Sequence, residues 1–179
     1  MEFALFRNTD VIADAHALPF RTESFAGVVC MNAFEHYADP NKVASELLRV
    51  LKPGGWIVVQ TAFLQPEHEY PWHFYNTTSE GLRLWFKDFA IESIHVSNNF
   101  NPLYALAWLA AECEAALKDD VSAEASAQFR STSLRELVDS WHRSRIEDNA
   151  LWKHFRSLTQ QRQRAIAAGF ELIANKPSS

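Results

Sequence analysis

Glycine is scarce in this chain, with five in 179 residues and none before Gly27. A turn whose missing side chains let the backbone approach a phosphate closely is therefore excluded from the amino-terminal stretch. Cysteine is scarcer still. Cys30 and Cys113 stand in apolar surroundings without CxxC or CxxH spacing, which argues against a disulfide framework and for buried thiols in a reducing compartment. Cationic excess is also missing: 17 Lys and Arg against 22 Asp and Glu give a net charge of −5, so no basic surface suggests a nucleic-acid partner. No apolar run is long enough to span a bilayer, and the opening "MEFALFRNTD" has an acid at its second position and no cleavable apolar core. A cytoplasmic protein is expected. No GxSxG, Cys/His arrangement or P-loop occurs, which leaves hydrolase and kinase readings without an anchor.

What is present is apolar and aromatic, at 47% and 13% of residues, enough for one well-packed domain over residues 1–179. "TDVIAD" (residues 9–14) and "AGVVCMNAF" (26–34) read as buried parallel strands. Val43, Leu47, Leu48, Val50 and Leu51 recur at helical spacing after Asp39 and Pro40, an N-cap and first-turn pair, and the helix stops at Lys52-Pro53-Gly54. "WIVVQTA" (56–62) is a third strand, whose tight entry Gly54 and Gly55 permit by positive φ. Thr77 and Glu80 have capping-box spacing for a helix to about Phe86, and "FAIESIHVS" (89–97) alternates as a strand. Helices follow from Pro102 to about Lys118 and from about Ser122 to Ala168, with breaks near Asp119-Asp120 and Asp148-Asn149, and "GFELIANKP" closes with a strand over 169–177. The expected fold is α/β: a partial core over 1–100, a helical insertion or lid over 101–168, then the last strand.

The motifs "DAHALPF" (14–20), "SFAGVV" (24–29), "FEHYADP" (34–40) and "ELLRVLKPGGWIVV" (46–59), in this order and spacing, resemble the class I S-adenosylmethionine-dependent methyltransferases of the methyltransferase type 11 kind. "AFLQPEHEYPWHFYNTTSEGLRLWF" and the terminal "GFELIANKP" look like a subgroup found near glycosyltransferases. The resemblance implies a Rossmann-like sheet, S-adenosylmethionine as cofactor, and methyl transfer to a small-molecule acceptor such as a sugar or other cell-envelope precursor. The family's opening strand, GxGxG turn and first helix have no counterpart here, so the resemblance implies an N-terminally incomplete sheet. That leaves a truncated gene product or misassigned start, completion by another chain or by exchange in a homodimer, or a degenerate, non-catalytic interaction module.

Carried over residue by residue, Asp14 holds the position of the acid that accepts from the adenine amino group, with the Ala15 backbone N–H beside it; its alternative role is to cap the turn. Leu18 and Phe20 flank the adenine or belong to the core. Glu2 stands where the ribose-binding acid falls. Asn32, Glu35 and His36 follow the second strand, where the family places groups near the methionine moiety. As neighbours in sequence, Glu35 and His36 are expected to point apart. His36 is a candidate general base, or a stitch in its loop. The loop "QPEHEYPWHFYN" (65–76) gathers Glu67, His68, Glu69, Tyr70, His73, Tyr75 and Asn76 at the ligand-facing edge, with His68 or His73 as a base for the acceptor. A metal is the rival reading of this loop, because His and Glu are ligands. The spacing matches no standard zinc pattern, so no metal is assigned. Trp108, Trp141, Trp152, His142 and His154 in the late helices read as core, as a lid or as a dimer face.

Overall fold

The computed structural model describes residues 9–143 and 146–172. Glu2 lies outside them. The chain divides into two compact units, residues 1–98 and 99–179.

In the first unit, β1 (Phe25–Met31) and β2 (Leu51–Gln60) form a two-stranded parallel sheet, joined by α1 (Pro40–Val50) in a β-α-β crossover. The α1 amino terminus is built as its sequence demands. Asp39 Oδ1 accepts from the Lys42 N–H at 3.0 Å, and Pro40 occupies the first turn, where its missing N–H costs nothing. Val43, Ala44, Leu47 and Val50 form the buried stripe of α1 and pack with Phe34, Phe86, Ala15 and Leu18. Val28 and Cys30 of β1, paired with Ile57 and Val59 of β2, cover the same core from the sheet side. Burial pushes the Cys30 thiol up to about 11, so it stays protonated and inert at neutral pH. Alternation turns Val29, Met31, Trp56 and Val58 to the other face, where they are exposed.

The register explains the glycines. Phe25 faces Leu51 but Gly27 already faces Trp56, so β2 carries extra residues there and Lys52-Pro53-Gly54-Gly55 bulges out. Gly54 has φ +74°, as expected. Gly55 does not; it is needed for room, because a Cβ would come within 2.9 Å of the Lys52 carbonyl oxygen and 3.0 Å of that of Ala26. At Gly27 a Cβ would collide with the Trp56 indole.

Several sequence expectations shift. The stretch 9–14 contributes only a bridge residue at Ile12, and residues 89–97 form no strand among the described residues. Alternation there supplies a side-chain pattern, but a strand also needs a neighbour's N–H and C=O ladder. Residues 169–172 are not a strand either, and the rest of the expected closing strand lies outside the described residues. Helix α2 (Ser79–Trp85) is capped by Thr78, whose hydroxyl accepts from the Gly81 N–H at 3.1 Å, so the cap sits one residue past Thr77 and no Thr77–Glu80 box forms.

The second unit is helical: α3 (Pro102–Asp120), α4 (Ala123–Ser131), α5 (Leu134–His142), α6 (Trp152–Arg156) and α7 (Gln160–Ala165). The helical run expected from about Ser122 does start there, with Ser122 as the N-cap of α4, and is interrupted again by the Ser133–Glu136 capping box before α5. Ala116, Leu117, Ala125 and Leu158 form its core. Trp141 is 73% exposed and so is not core.

Candidate functional site

Parallel strands present the loops at their carboxyl ends to ligands. Here those loops are the 3₁₀ turn Phe34–His36 after β1 and residues 61–76 after β2. The second loop is fastened onto the first by main-chain bonds: the Glu35 carbonyl accepts from the Phe74 N–H at 2.8 Å and the Tyr75 N–H at 3.2 Å. Tyr75 adds its hydroxyl, donated to the Ala38 carbonyl at 3.1 Å.

This return of the chain brings three histidines together. Ring centroids lie 5.1 Å apart for His36 and His68, 4.3 Å for His68 and His73, and 5.6 Å for His36 and His73. Their partners fix the tautomers. His36 Nδ1 lies 2.9 Å from the Trp72 carbonyl oxygen and His68 Nδ1 lies 3.0 Å from that of Pro66. A carbonyl can only accept, so in both rings Nδ1 carries the proton and the lone pair is on Nε2. His73 is the reverse. Its Nδ1 accepts from the His68 main-chain N–H at 3.1 Å, so its proton sits on Nε2, 3.2 Å from both the Tyr75 carbonyl and Asn76 Oδ1. Asn76 is oriented in turn, giving Nδ2–H to the Gln65 carbonyl at 2.9 Å. Burial first, then electrostatic repulsion between its own protonated form and the neighbouring His68 ring, lowers the His73 pKa and favours the neutral ring.

Glu35 is fully buried between these histidines and β2. Its Oε2 accepts from the Thr61 hydroxyl at 3.0 Å, while Oε1 has no hydrogen-bond donor among the described residues. The expectation that Glu35 and His36 point apart is corrected. One ligating atom each of Glu35, His36 and His68 falls within 4.8 Å of the others. The 3₁₀ turn separates adjacent side chains, but the returning loop supplies His68 at the point where their tips converge. Thr61 is a site residue that sequence reasoning passed over; its place directly after a parallel strand was the available signal.

The other expected residues lie along the same unit. Asp14 is exposed, and its Oδ1 accepts from the His16 main-chain N–H at 2.9 Å and from His16 Nδ1 at 2.6 Å. These bonds, the main-chain one foremost, hold its carboxyl below the usual range. His16 Nε2 accepts from the Asp39 N–H at 3.2 Å and so ties the turn to the start of α1. Ala15 and Leu18 are buried in the core. Phe20 packs edge-to-face on Phe25. The segment 18–20 is also clamped by a pair that sequence reasoning missed. Glu46 accepts from the Leu18 N–H at 2.8 Å and from Arg49 Nε at 2.7 Å, and Arg49 donates to the Leu18 and Phe20 carbonyls at 3.0 and 2.9 Å. Asn32 is exposed at the end of β1 with φ +49°, and its N–H donates to the Gln60 carbonyl at 2.8 Å. Among the described residues no helix is long and apolar enough to cross a membrane.

Comparison with known proteins agrees with this α/β geometry. Residues 4–59 match the family model described as a methyltransferase domain. Demethylmenaquinone methyltransferase of Clavibacter sepedonicus is 49% identical over 49 residues, 27% of this chain and 20% of that protein. Demethylmenaquinone methyltransferase of Thermus thermophilus is 49% identical over 47 residues, 26% of this chain and 21% of its own length. Ubiquinone biosynthesis O-methyltransferase of Leptothrix cholodnii is 28% identical over 106 residues, 48% of this chain and 44% of that protein. The chain thus spans less than half the length of these relatives. No solved structure matches significantly. Over the stretch that carries β1, α1 and nearly all of β2, the sequence is similar to the methyltransferase domain of these proteins.

Proposed function

We propose that the carboxyl-end loops of β1 and β2 serve methyl transfer from S-adenosylmethionine to a small-molecule acceptor. The observation that carries this reading is the meeting of the methyltransferase-like segment with a convergent, half-buried set of proton acceptors at that edge. Relatives named for methylating menaquinone and ubiquinone precursors support a small acceptor; a sugar or other cell-envelope precursor is the narrower expectation from the loop sequence.

The donor set fits the cofactor at its adenine end, where Asp14 offers an exposed carboxylate whose hydrogen bonds to His16 engage Oδ1 alone. Asp14, with the Ala15 main chain beside it, would hold the adenine amino group, and Asn32 and Glu35 would bound the methionine end. When bound, the cofactor supplies a methyl group on a sulfonium centre. The protein's share is orientation and removal of a proton from the acceptor. The Nε2 lone pairs of His36 and His68 suit that proton, since each ring is held by its Nδ1–H. His73 acts one step back, with both nitrogens engaged in holding the loop. It is a positioning residue in this scheme.

One observation favours a second reading, a non-catalytic methyltransferase-like interaction module. The sheet has two strands among the described residues, and Asp14 already has a partner in His16. Titration calorimetry with S-adenosylmethionine separates the two. The enzyme reading expects saturable binding that Asp14→Ala weakens and that Arg135→Ala, in the helical unit, leaves alone. A folded chain that gives no binding heat would reject it.

A further inference from the structure

Three side chains at the β1–β2 edge have the properties of ligands for a metal. The first is the buried Glu35, whose Oε1 lacks a hydrogen-bond donor among the described residues. A buried carboxylate oxygen left without a donor is costly, and native structures retain such groups where something else satisfies them. The other two are His36 and His68. Each gives its Nδ1–H to a main-chain carbonyl, at 2.9 and 3.0 Å, which is the outer-shell contact that fixes a ligating imidazole with its Nε2 lone pair forward. The three side chains come from two loops that main-chain bonds hold together, and one ligating atom of each falls within 4.8 Å of the others. Around an ion about 2.1 Å from each ligand, neighbouring donors stand roughly 3–3.5 Å apart. Side-chain rotation covers that difference.

We propose that Glu35 Oε1, His36 Nε2 and His68 Nε2 form a binding site for one divalent transition-metal ion. Two imidazole nitrogens and one carboxylate oxygen suit zinc or iron(II) and its neighbours, whereas magnesium and calcium favour all-oxygen sets. With three protein ligands the ion keeps an open position, the arrangement of reactive rather than purely structural sites. Thr61 holds the second carboxylate oxygen of Glu35, and His73 holds the His68 main chain, so both ligating segments have outer support. A bound ion takes the lone pairs that otherwise receive the acceptor's proton, and offers coordination of an acceptor oxygen in their place. The site itself does not depend on the methyl-transfer reading, because binding is measured without S-adenosylmethionine.

The test is calorimetric titration of the untagged, metal-stripped full chain with zinc chloride, followed by absorption spectroscopy with cobalt(II). One ion per chain is expected. Glu35→Gln, His36→Ala and His68→Ala should each weaken zinc by about 100-fold or more, since loss of a ligand exceeds the 10–100-fold typical of outer-shell changes. His154→Ala, in the helical unit, should leave it within about twofold. The visible bands of low-coordinate cobalt(II) should appear with the wild-type chain and vanish in His68→Ala. Circular dichroism checks the fold; if Glu35→Gln unfolds, the half-buried His36 and His68 variants decide. Absence of saturable binding, or binding that survives both histidine substitutions in folded protein, overturns the site.

Discussion

Two stretches of the first unit each present an acid beside a histidine, and they use them differently. In the turn at residues 14–20, Asp14 bonds to His16, His16 bonds onward to the Asp39 main chain, and Glu46 and Arg49 close over Leu18 and Phe20. In the Glu35–His36–His68 cluster the histidine rings are each held at Nδ1 by a main-chain carbonyl, and a buried carboxylate oxygen lacks a donor among the described residues. The first stretch is knitted into the fold, while the second is held in place by its surroundings with ligating atoms turned inward. The contrast shows that residue type does not distinguish a site from a stitch; the destination of each hydrogen bond does.

Substitutions should therefore divide by consequence, with the turn costing stability and the cluster costing ligand. The largest loss of stability is expected from Leu18→Ala, about 2–4 kcal/mol for a buried leucine, measured by urea denaturation. Glu46→Gln comes next. It removes the charge-assisted bonds to Arg49, at about 1–2 kcal/mol near neutral pH. The Glu46 carboxyl is held below its ordinary value, first by Arg49, so its contribution is complete above the unfolded glutamate value and is lost as pH falls through the folded one. Wild-type and variant stabilities should thus converge in acid.

His73 gives a smaller effect of the same sign. Its folded pKa is lowered, so below about pH 6.5 the unfolded chain takes up the proton first and stability falls. Denaturation across that range should show a slope that His73→Gln flattens. The smallest change is expected from His68→Gln, within about 0.5 kcal/mol, because the N–H that holds His73 belongs to the main chain. A His68 variant as damaging as Leu18→Ala would erase the distinction between the two stretches.

Much of the knitted part was legible in the sequence. Asp39 and Pro40 announced α1, the apolar runs announced β1 and β2, and Gly54 marked a positive φ. These features are local. Legibility failed where partners are distant: the clamp of Glu46 and Arg49 on residues 18–20, and the meeting of His68 with Glu35 and His36, depend on where a returning loop lands. The strand expected at residues 89–97 failed for the same reason, since alternation cannot supply a neighbouring strand. On the sheet, the apolar run 26–34 read as a buried strand, but only Val28 and Cys30 pack on the core, while Val29 and Met31 are exposed, because an apolar run does not say what covers its second face.

The most direct test of the contrast is a long-range ¹⁵N–¹H spectrum of the seven histidine side chains, recorded before and after one equivalent of zinc. His36 and His68 should start as Nδ1–H tautomers and show their Nε2 resonances alone displaced by the metal, while His16 and His73 keep theirs. Nε2–H tautomers at His36 and His68, or displacement centred on other histidines, would contradict the account.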